Sequence, residues 1–294
     1  MSYIQSNWSG GIAEWTEGNT AFVSGVFSWN KQKVFMRCVY YREQGYQVRC
    51  GGQVVQQYPE LFSEFYTDGF VDALKKHNSE AVFTSRGCIR KCSFCIVPKM
   101  EGKLIELEDW EAKPIICDNN LLATTTAHFD RVIDKLLVNN ITKIDFNQGL
   151  DTRLLTDHHA SRLSKLPKDT IIRLAWDNTK LEQEYFSAFE KLINAGINQN
   201  QVRTYVLIGY KDSPEDALYR LSKIEKSGVL PNPMRYQPID CLKKNSYVES
   251  GWSNQLLNKF IRYWSNTKLF RGFSFEEYTL KKEIIIPENQ LDLL

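Results

Sequence analysis

From residue 80 onward the chain alternates short apolar, β-branched runs with longer stretches of helical period. Strand-length runs stand at 81–85 (AVFTS), 114–118 (PIICD), 143–147 (KIDFN), 170–176 (TIIRLAW), 202–208 (VRTYVLI) and 234–239 (MRYQPI). Each is nearly unbroken in apolar residues, the pattern of strands covered on both faces. Between them, Phe129, Val132, Ile133, Leu136 and Leu137 form one apolar helical stripe, and Tyr185, Phe186, Phe189, Leu192 and Ile193 another. After the fifth run the punctuation is local: Ser213 at the N-cap, Pro214 at the first helical position, Glu215 and Asp216 in the first turn, Gly228 as the stop. Six strands alternating with five helices predict parallel, right-handed units, either an open doubly wound sheet or a partial barrel. In both, ligands belong at the carboxyl ends of the strands.

Residues 1–79 read as a small N-terminal α/β unit. FVSGVFSW predicts a strand, KVFMRCVYYREQG a helix, and YQVRCGG a second strand ending in a glycine pair. Phe70, Ala73, Leu74 and His77 then mark a helix leading into the strand at 81–85. The repeating region occupies 80–240. Residues 241–294 form a C-terminal extension of aromatic and basic character. Lys259, Arg262 and Lys268 interleave there with Phe260, Tyr263, Trp264 and Phe270, as a nucleic-acid surface would use them. The same segment suits an amphipathic helix that lays Leu256, Leu257, Phe260, Trp264 and Leu269 on the rest of the protein, and this reading is preferred.

Composition narrows the function classes. In 294 residues, 37 Lys and Arg balance 35 Asp and Glu, a formal charge of +2 that excludes a globally polybasic nucleic-acid coat. The start, MSYIQSNWSGG, shows no secretory pattern, and no apolar stretch approaches the roughly 20 residues needed to span a bilayer. A cytoplasmic, membrane-free protein with reduced cysteines is therefore expected.

Three of the seven cysteines crowd into SRGCIRKCSFCIVP, at spacing Cys88-x3-Cys92-x2-Cys95, directly after the first strand of the alternation. So short a loop can wrap three thiolates around one inorganic centre and turn backbone amides toward its sulfurs. Arg86, Arg90 and Lys91 raise the local positive potential and favour thiolate. Structural zinc needs a fourth ligand, which His77, Cys117 or His128 would have to supply. A thiol redox pair of Cys92 and Cys95 leaves Cys88 unexplained, and three buried core cysteines fit poorly with so charged a segment.

The cysteine triplet, aromatic Phe94 before its last member and the strand–helix units behind it resemble the radical S-adenosylmethionine (radical SAM) superfamily over residues 80–240. The resemblance implies a partial (β/α)6 TIM-like barrel. It also implies a [4Fe–4S] cluster held by Cys88, Cys92 and Cys95, with S-adenosyl-L-methionine (SAM) on the open iron. Reductive cleavage would yield a 5′-deoxyadenosyl radical that abstracts hydrogen from a substrate, with electrons from an external flavodoxin- or ferredoxin-like donor. The N-terminal unit is similar to a shortened flavodoxin-like domain found before the barrel in methylthiotransferases and cobalamin-dependent members, but it lacks the cobalamin motif D-x-H-x-x-G.

The resemblance also nominates cofactor contacts. Phe94 would lie near the adenine. Asp118, with Asn119 and Asn120, stands where many members carry a glycine-glycine-glutamate motif for the SAM amino group. Asp177 and Asn178 would meet the ribose, and Ile208 with Gly209 would pack against the adenine. Structural alternatives stand beside these: Asp118 as a turn residue, Asp177 and Asn178 as a cap, Ile208 as core and Gly209 as a turn glycine. Arg173 and Arg235 lie within apolar strands and need an anion, either the SAM carboxylate, a substrate phosphate or a structural partner such as Asp145. Asn147, Gln148, Asp151, Arg153, Tyr236 and Gln237 line the same rim. No residue is singled out as catalytic. The substrate reading is a nucleobase or nucleotide-linked group; the alternatives are a small metabolite or peptide, or a non-enzymatic zinc or electron-transfer protein.

Overall fold

The computed structural model describes residues 8–65, 73–266 and 272–280. Phe70, Lys268, Leu269 and Phe270, named above, lie outside them.

The N-terminal unit opens with a hairpin, β1 (Ile12–Glu17) antiparallel to β2 (Thr20–Gly25), and continues through α1 (Lys31–Glu43) to β3 (Gln47–Gly51), which lies parallel to β2. The expected strand–helix–strand is present. The hairpin strand β1 was not expected, because its run IAEWTE mixes charge and bulk without clean alternation. Val23, Val34, Cys38, Val48 and Phe62 form a core of its own. Two short helices follow, α2 (Gln53–Gln57) and α3 (Leu74–His77).

The alternating region then runs β4 (Ala81–Val82), β5 (Ser85–Arg86), α4 (Val97–Met100), β6 (Ile105–Glu106) and β7 (Ile115–Ile116). It continues through α5 (Thr126–Val138), β8 (Asp145–Phe146), α6 (Asp157–Leu163), β9 (Ile172–Ala175), α7 (Glu182–Asn194), β10 (Val202–Ile208), α8 (Pro214–Lys226) and β11 (Leu230–Arg235). Helices α9 (Asn254–Ser265) and α10 (Phe275–Leu280) follow. Parallel pairing joins β4 to β7, β7 to β8, β9 to β10 and β10 to β11. Isolated parallel bridges, Asp145 to Ile171 and Leu150 to Leu174, connect β8 with β9. The six parallel strands β4, β7, β8, β9, β10 and β11 thus succeed one another in chain order, without the order reversal of a doubly wound sheet. The result is a mixed α/β fold with small parallel sheets.

Three expectations need correction. The first crossover holds the cysteine loop and the four-residue α4 instead of a full covering helix. The last strand occupies 230–235, not 234–239. Pro231 and Pro233 are by residue type turn formers, but Tyr236 donates its N–H to the Ile208 carbonyl, and by alternation the odd-numbered positions 231 and 233 turn away from β10. There a missing N–H costs nothing, so the prolines suit this strand. Finally, the strands are not covered alike on both faces. Ile172, Leu174, Val202, Val206 and Ile208 are fully buried beneath the helices, whereas the intervening Arg173, Ala175, Tyr205 and Leu207 are half-buried. That second face is polar enough to hold Asp145 and Arg173.

The C-terminal extension takes the packing option. Leu257, Phe260, Tyr263 and Trp264 of α9 are buried in the main core, and Phe275 of α10 closes on Phe260 with ring centroids 4.4 Å apart. Lys259 reaches back to the Thr279 carbonyl. Among the described residues no helix is long and apolar enough to cross a membrane.

Candidate functional site

The cysteine loop is the excursion between β5 and β6, two short strands paired antiparallel that close its base. Gly87 begins it at φ 75, in the left-handed region, where a side chain would collide with the Lys103 carbonyl oxygen. Glu101, missed in the sequence, ties the base together. It accepts from the Gly87 N–H at 3.0 Å and the Asn119 amide at 2.6 Å, and pairs with Arg86 at 2.9 Å. The signal was available as an acidic residue beside Gly102 at the loop's return, but its partners lie 14 to 18 residues away.

Cys88, Cys92 and Cys95 are free and half-buried on this loop. Cys88 Sγ accepts from the Arg90 N–H at 3.3 Å and from the Asn120 amide at 3.5 Å. The Cys95 N–H donates to the Cys92 carbonyl, turning the chain between the last two cysteines. The expected positive potential is partly spent elsewhere: Arg86 on Glu101, Arg90 on Asp151. Burial pushes the Cys95 thiol up, with the neighbouring Cys92, Cys88 and Asp177 adding to it against a backbone hydrogen bond. Among the described residues no group of three or more His, Cys, Asp or Glu side chains is drawn together as for a metal ion.

The residues nominated as a fourth zinc ligand are engaged away from the loop. His77 bonds Ser9 and Ser24 in the N-terminal unit. His128 meets Thr84 and Arg131. Cys117 is buried, its thiol pushed up to about 12 by that burial.

The strand-end residues divide into those turned toward the loop and those used within the fold. Asp118 is 4% exposed, and its carboxylate accepts from the Thr84 N–H at 2.6 Å, the Thr84 hydroxyl at 2.5 Å and the Ser85 hydroxyl at 2.8 Å. It therefore locks β4–β5 to the end of β7. Burial pushes its carboxyl above the usual range, although these three donors favour the anion. Its neighbour Asn120 does face the loop, donating to Cys88 Sγ and to Asp151, while its buried Oδ1 has no partner.

At the end of β9, Asn178 caps the following turn through the Lys180 N–H, the structural alternative foreseen for it. Asp177 stands beside Cys95 and is pushed up to about 6 by burial, with Arg220 and Arg153 pulling the other way. Ile208 is fully buried in the core, and Gly209, at φ 73, faces Leu257 of α9, where a Cβ would come within 3.1 Å. Both do structural work.

Compared with known proteins, the chain matches no family model and no curated protein. Its site is therefore read from its own residues.

Phe94 packs edge-on against Tyr210 at 5.7 Å, and the Tyr210 hydroxyl donates to Ser93 at 2.8 Å. Tyr210 meets Tyr236, and Tyr236 meets Tyr247, at 4.5 and 5.2 Å between ring centroids. This aromatic run, seen only in part from the sequence, joins the cysteine loop to the ends of β10 and β11 and to the C-terminal extension. Arg173 is bidentate on Asp145, both contacts at 2.7 Å, a structural ion pair within the fold. Arg235 donates to the Asn245 and Tyr247 carbonyls, pinning the chain after β11. Gln237 bonds Asn245 in the same turn, and Gln148 is exposed. Asn147 gives its carbonyl to the Tyr205 hydroxyl.

Arg220, also missed, is fully buried on α8. It donates to the Trp176 and Leu207 carbonyls and pairs with Asp212, fixing the rims of β9 and β10.

Proposed function

We propose that this chain is a radical SAM enzyme built on a partial (β/α)6 barrel. Six parallel strands in chain order support the fold reading. The observation that carries the function is the placement of three free, half-buried cysteines on one braced loop, at the carboxyl end of the first of those strands. In this reading Cys88, Cys92 and Cys95 hold a [4Fe–4S] cluster. When bound, that cluster would supply one electron to a chelated SAM and so generate a carbon-centred oxidant for hydrogen abstraction.

The chain's own residues set the environment. The Arg90 N–H and the Asn120 amide donate to Cys88 Sγ, as donors around a cluster thiolate do. The amino group of SAM is assigned to Asn120, whose Oδ1 is buried and unpartnered, and not to Asp118, whose oxygens serve Thr84 and Ser85. Asn119 orients the loop through Glu101. Asp177 and Phe94 flank the site on the side of Cys95. Arg173, Arg235, Ile208 and Gly209 receive no cofactor role, because each is engaged within the fold. The electron donor is a small external one-electron protein of flavodoxin or ferredoxin type. Substrate chemistry stays at the level of a small molecule or nucleotide-linked group, since the aromatic face of α9 is buried and offers no stacking platform.

The test is anaerobic reconstitution with iron and sulfide, followed by reduction in the presence of SAM. The wild-type chain should form 5′-deoxyadenosine and methionine, and Cys92→Ala should form neither while keeping its fold by circular dichroism. Equal 5′-deoxyadenosine from Cys92→Ala would refute the assignment.

A further inference from the structure

Asp151 is the residue on which the cysteine loop converges. It is 8% exposed and sits just after β8, at the start of a short 3-10 turn, Thr152–Leu154. Its two carboxylate oxygens accept five N–H groups. Arg153 contributes its backbone N–H at 3.2 Å, Nε at 2.6 Å and a terminal nitrogen at 3.0 Å. Arg90, inside the loop between Cys88 and Cys92, contributes Nε at 3.0 Å. Asn120, from the end of β7, contributes its amide at 3.3 Å. Both guanidinium partners also belong to the cysteines. The Arg90 N–H and the Asn120 amide donate to Cys88 Sγ, and the Arg153 guanidinium lies near enough to Cys92 to interact with it electrostatically.

We infer that Asp151 is a positioning residue for the cysteine loop: by holding Arg90, Arg153 and Asn120 on one buried carboxylate it fixes where Cys88 and Cys92 stand and how much positive charge faces them. The inference rests on the proposed function for its link to iron, but its geometry belongs to the chain itself. Two guanidinium groups and one carboxylate leave a net single positive charge beside the thiols. A carboxylate-to-amide change keeps the size of the side chain but removes the counter-charge. The Arg90 and Arg153 side chains are about one-third exposed, so water can solvate them once the carboxylate is gone, but their uncompensated charge stays beside the thiols. Cys95, whose backbone bonds Cys92 but which has no hydrogen bond to Asp151, Arg90, Arg153 or Asn120, serves as the internal reference.

The experiment uses the full chain and begins without metal. Cys88, Cys92 and Cys95 are alkylated with iodoacetamide in the metal-free protein, and each rate is read by peptide mass spectrometry. In Asp151→Asn, Cys88 and Cys92 should react several-fold faster than in the wild type, with Cys95 unchanged. Asp151→Glu, which keeps the charge, should return the two rates toward wild type. Unchanged rates at Cys88 and Cys92 in Asp151→Asn, or a uniform rise at all three thiols, would overturn the inference.

Should Asp151→Asn fail to fold, Asn120→Ser removes only the amide linking Asp151 to Cys88. It should slow Cys88 alone, because the Cys88 thiolate loses a donor, and an unaltered Cys88 overturns the inference as well. After reconstitution, Asp151→Asn should lose iron to a chelator at roughly 10- to 100-fold lower chelator concentration than the wild type. Wild-type protein that binds no iron would sink the proposed function while leaving the thiol rates to decide the role of Asp151.

Discussion

At the scale of single residues, the decisive distinction is between carboxylates that are spent and carboxylates that are held in reserve. Asp118 accepts three hydrogen bonds from Thr84 and Ser85, partners 33 and 34 residues away. Asp118→Ala should therefore destabilise the fold by about 3 kcal/mol, measured by denaturant unfolding, because several buried donors lose their acceptor together. A loss of SAM affinity at unchanged stability would instead return Asp118 to the cofactor.

Asp177 is the opposite case. Its carboxyl is pushed up to about 6 from 3.8, chiefly by burial, so the native state holds a proton that the unfolded chain has released between those two values. Its contribution to stability is fully present below about pH 4 and is lost as pH rises to about 6. Asp177→Asn should therefore stabilise the metal-free protein at pH 7.5, by on the order of 2 kcal/mol, and have no effect near pH 3.5. Thermal unfolding at the two pH values checks the sign; a larger gain at the lower pH would contradict it.

These pairings explain what the sequence could and could not disclose at this scale. The cysteine triplet is contiguous and was legible. The Asp145 partner of Arg173, 28 residues distant, was one of several anions that could have answered the same need. Asn120 looked like turn chemistry beside Asn119, and only the fold turns its amide toward Cys88.

Among elements, legibility follows the range of the interactions that define each one. Helix α8 was readable because its start is written locally: the Ser213 hydroxyl accepts from the Asp216 N–H, Pro214 follows, and the helix ends before Gly228 at φ 77. Strand β10 matches its apolar run residue for residue. Strand β11 was displaced because proline is read as a breaker until the open edge that tolerates it is known. The cysteine excursion between β5 and β6 depends on backbone geometry that only glycine accepts at its first corner. Gly87→Ala combines the left-handed φ with a collision at Lys103 O, and the conformation alone should cost roughly 1–3 kcal/mol. The damage should be local. Iron binding is expected to fall far more than the melting temperature, and a protein that unfolds globally while holding iron normally at low temperature would contradict this placement.

For the whole molecule, the order of the six parallel strands is the feature that sequence periodicity left open. Open sheet and barrel segment share the same alternation of strand and helix. They differ in which strands are neighbours, and that is fixed by pairings such as Asp145 with Ile171. The extension after residue 241 packs on this frame: Trp264 is 2% exposed within the main core, so Trp264→Ala should cost about 3–5 kcal/mol in unfolding free energy. Burial of the α9 aromatics also predicts that single-stranded RNA binds only weakly, with little salt dependence. A steep fall of affinity with salt would show that phosphates are being neutralised after all.

The central claim is that Cys88, Cys92 and Cys95 leave one iron of a four-iron centre open to SAM. Electron paramagnetic resonance of the reduced, reconstituted protein, recorded before and after adding SAM, tests it most directly. The account predicts a reduced-cluster signal whose g values move when SAM is added. A colourless zinc protein, or a cluster signal indifferent to SAM, would contradict it.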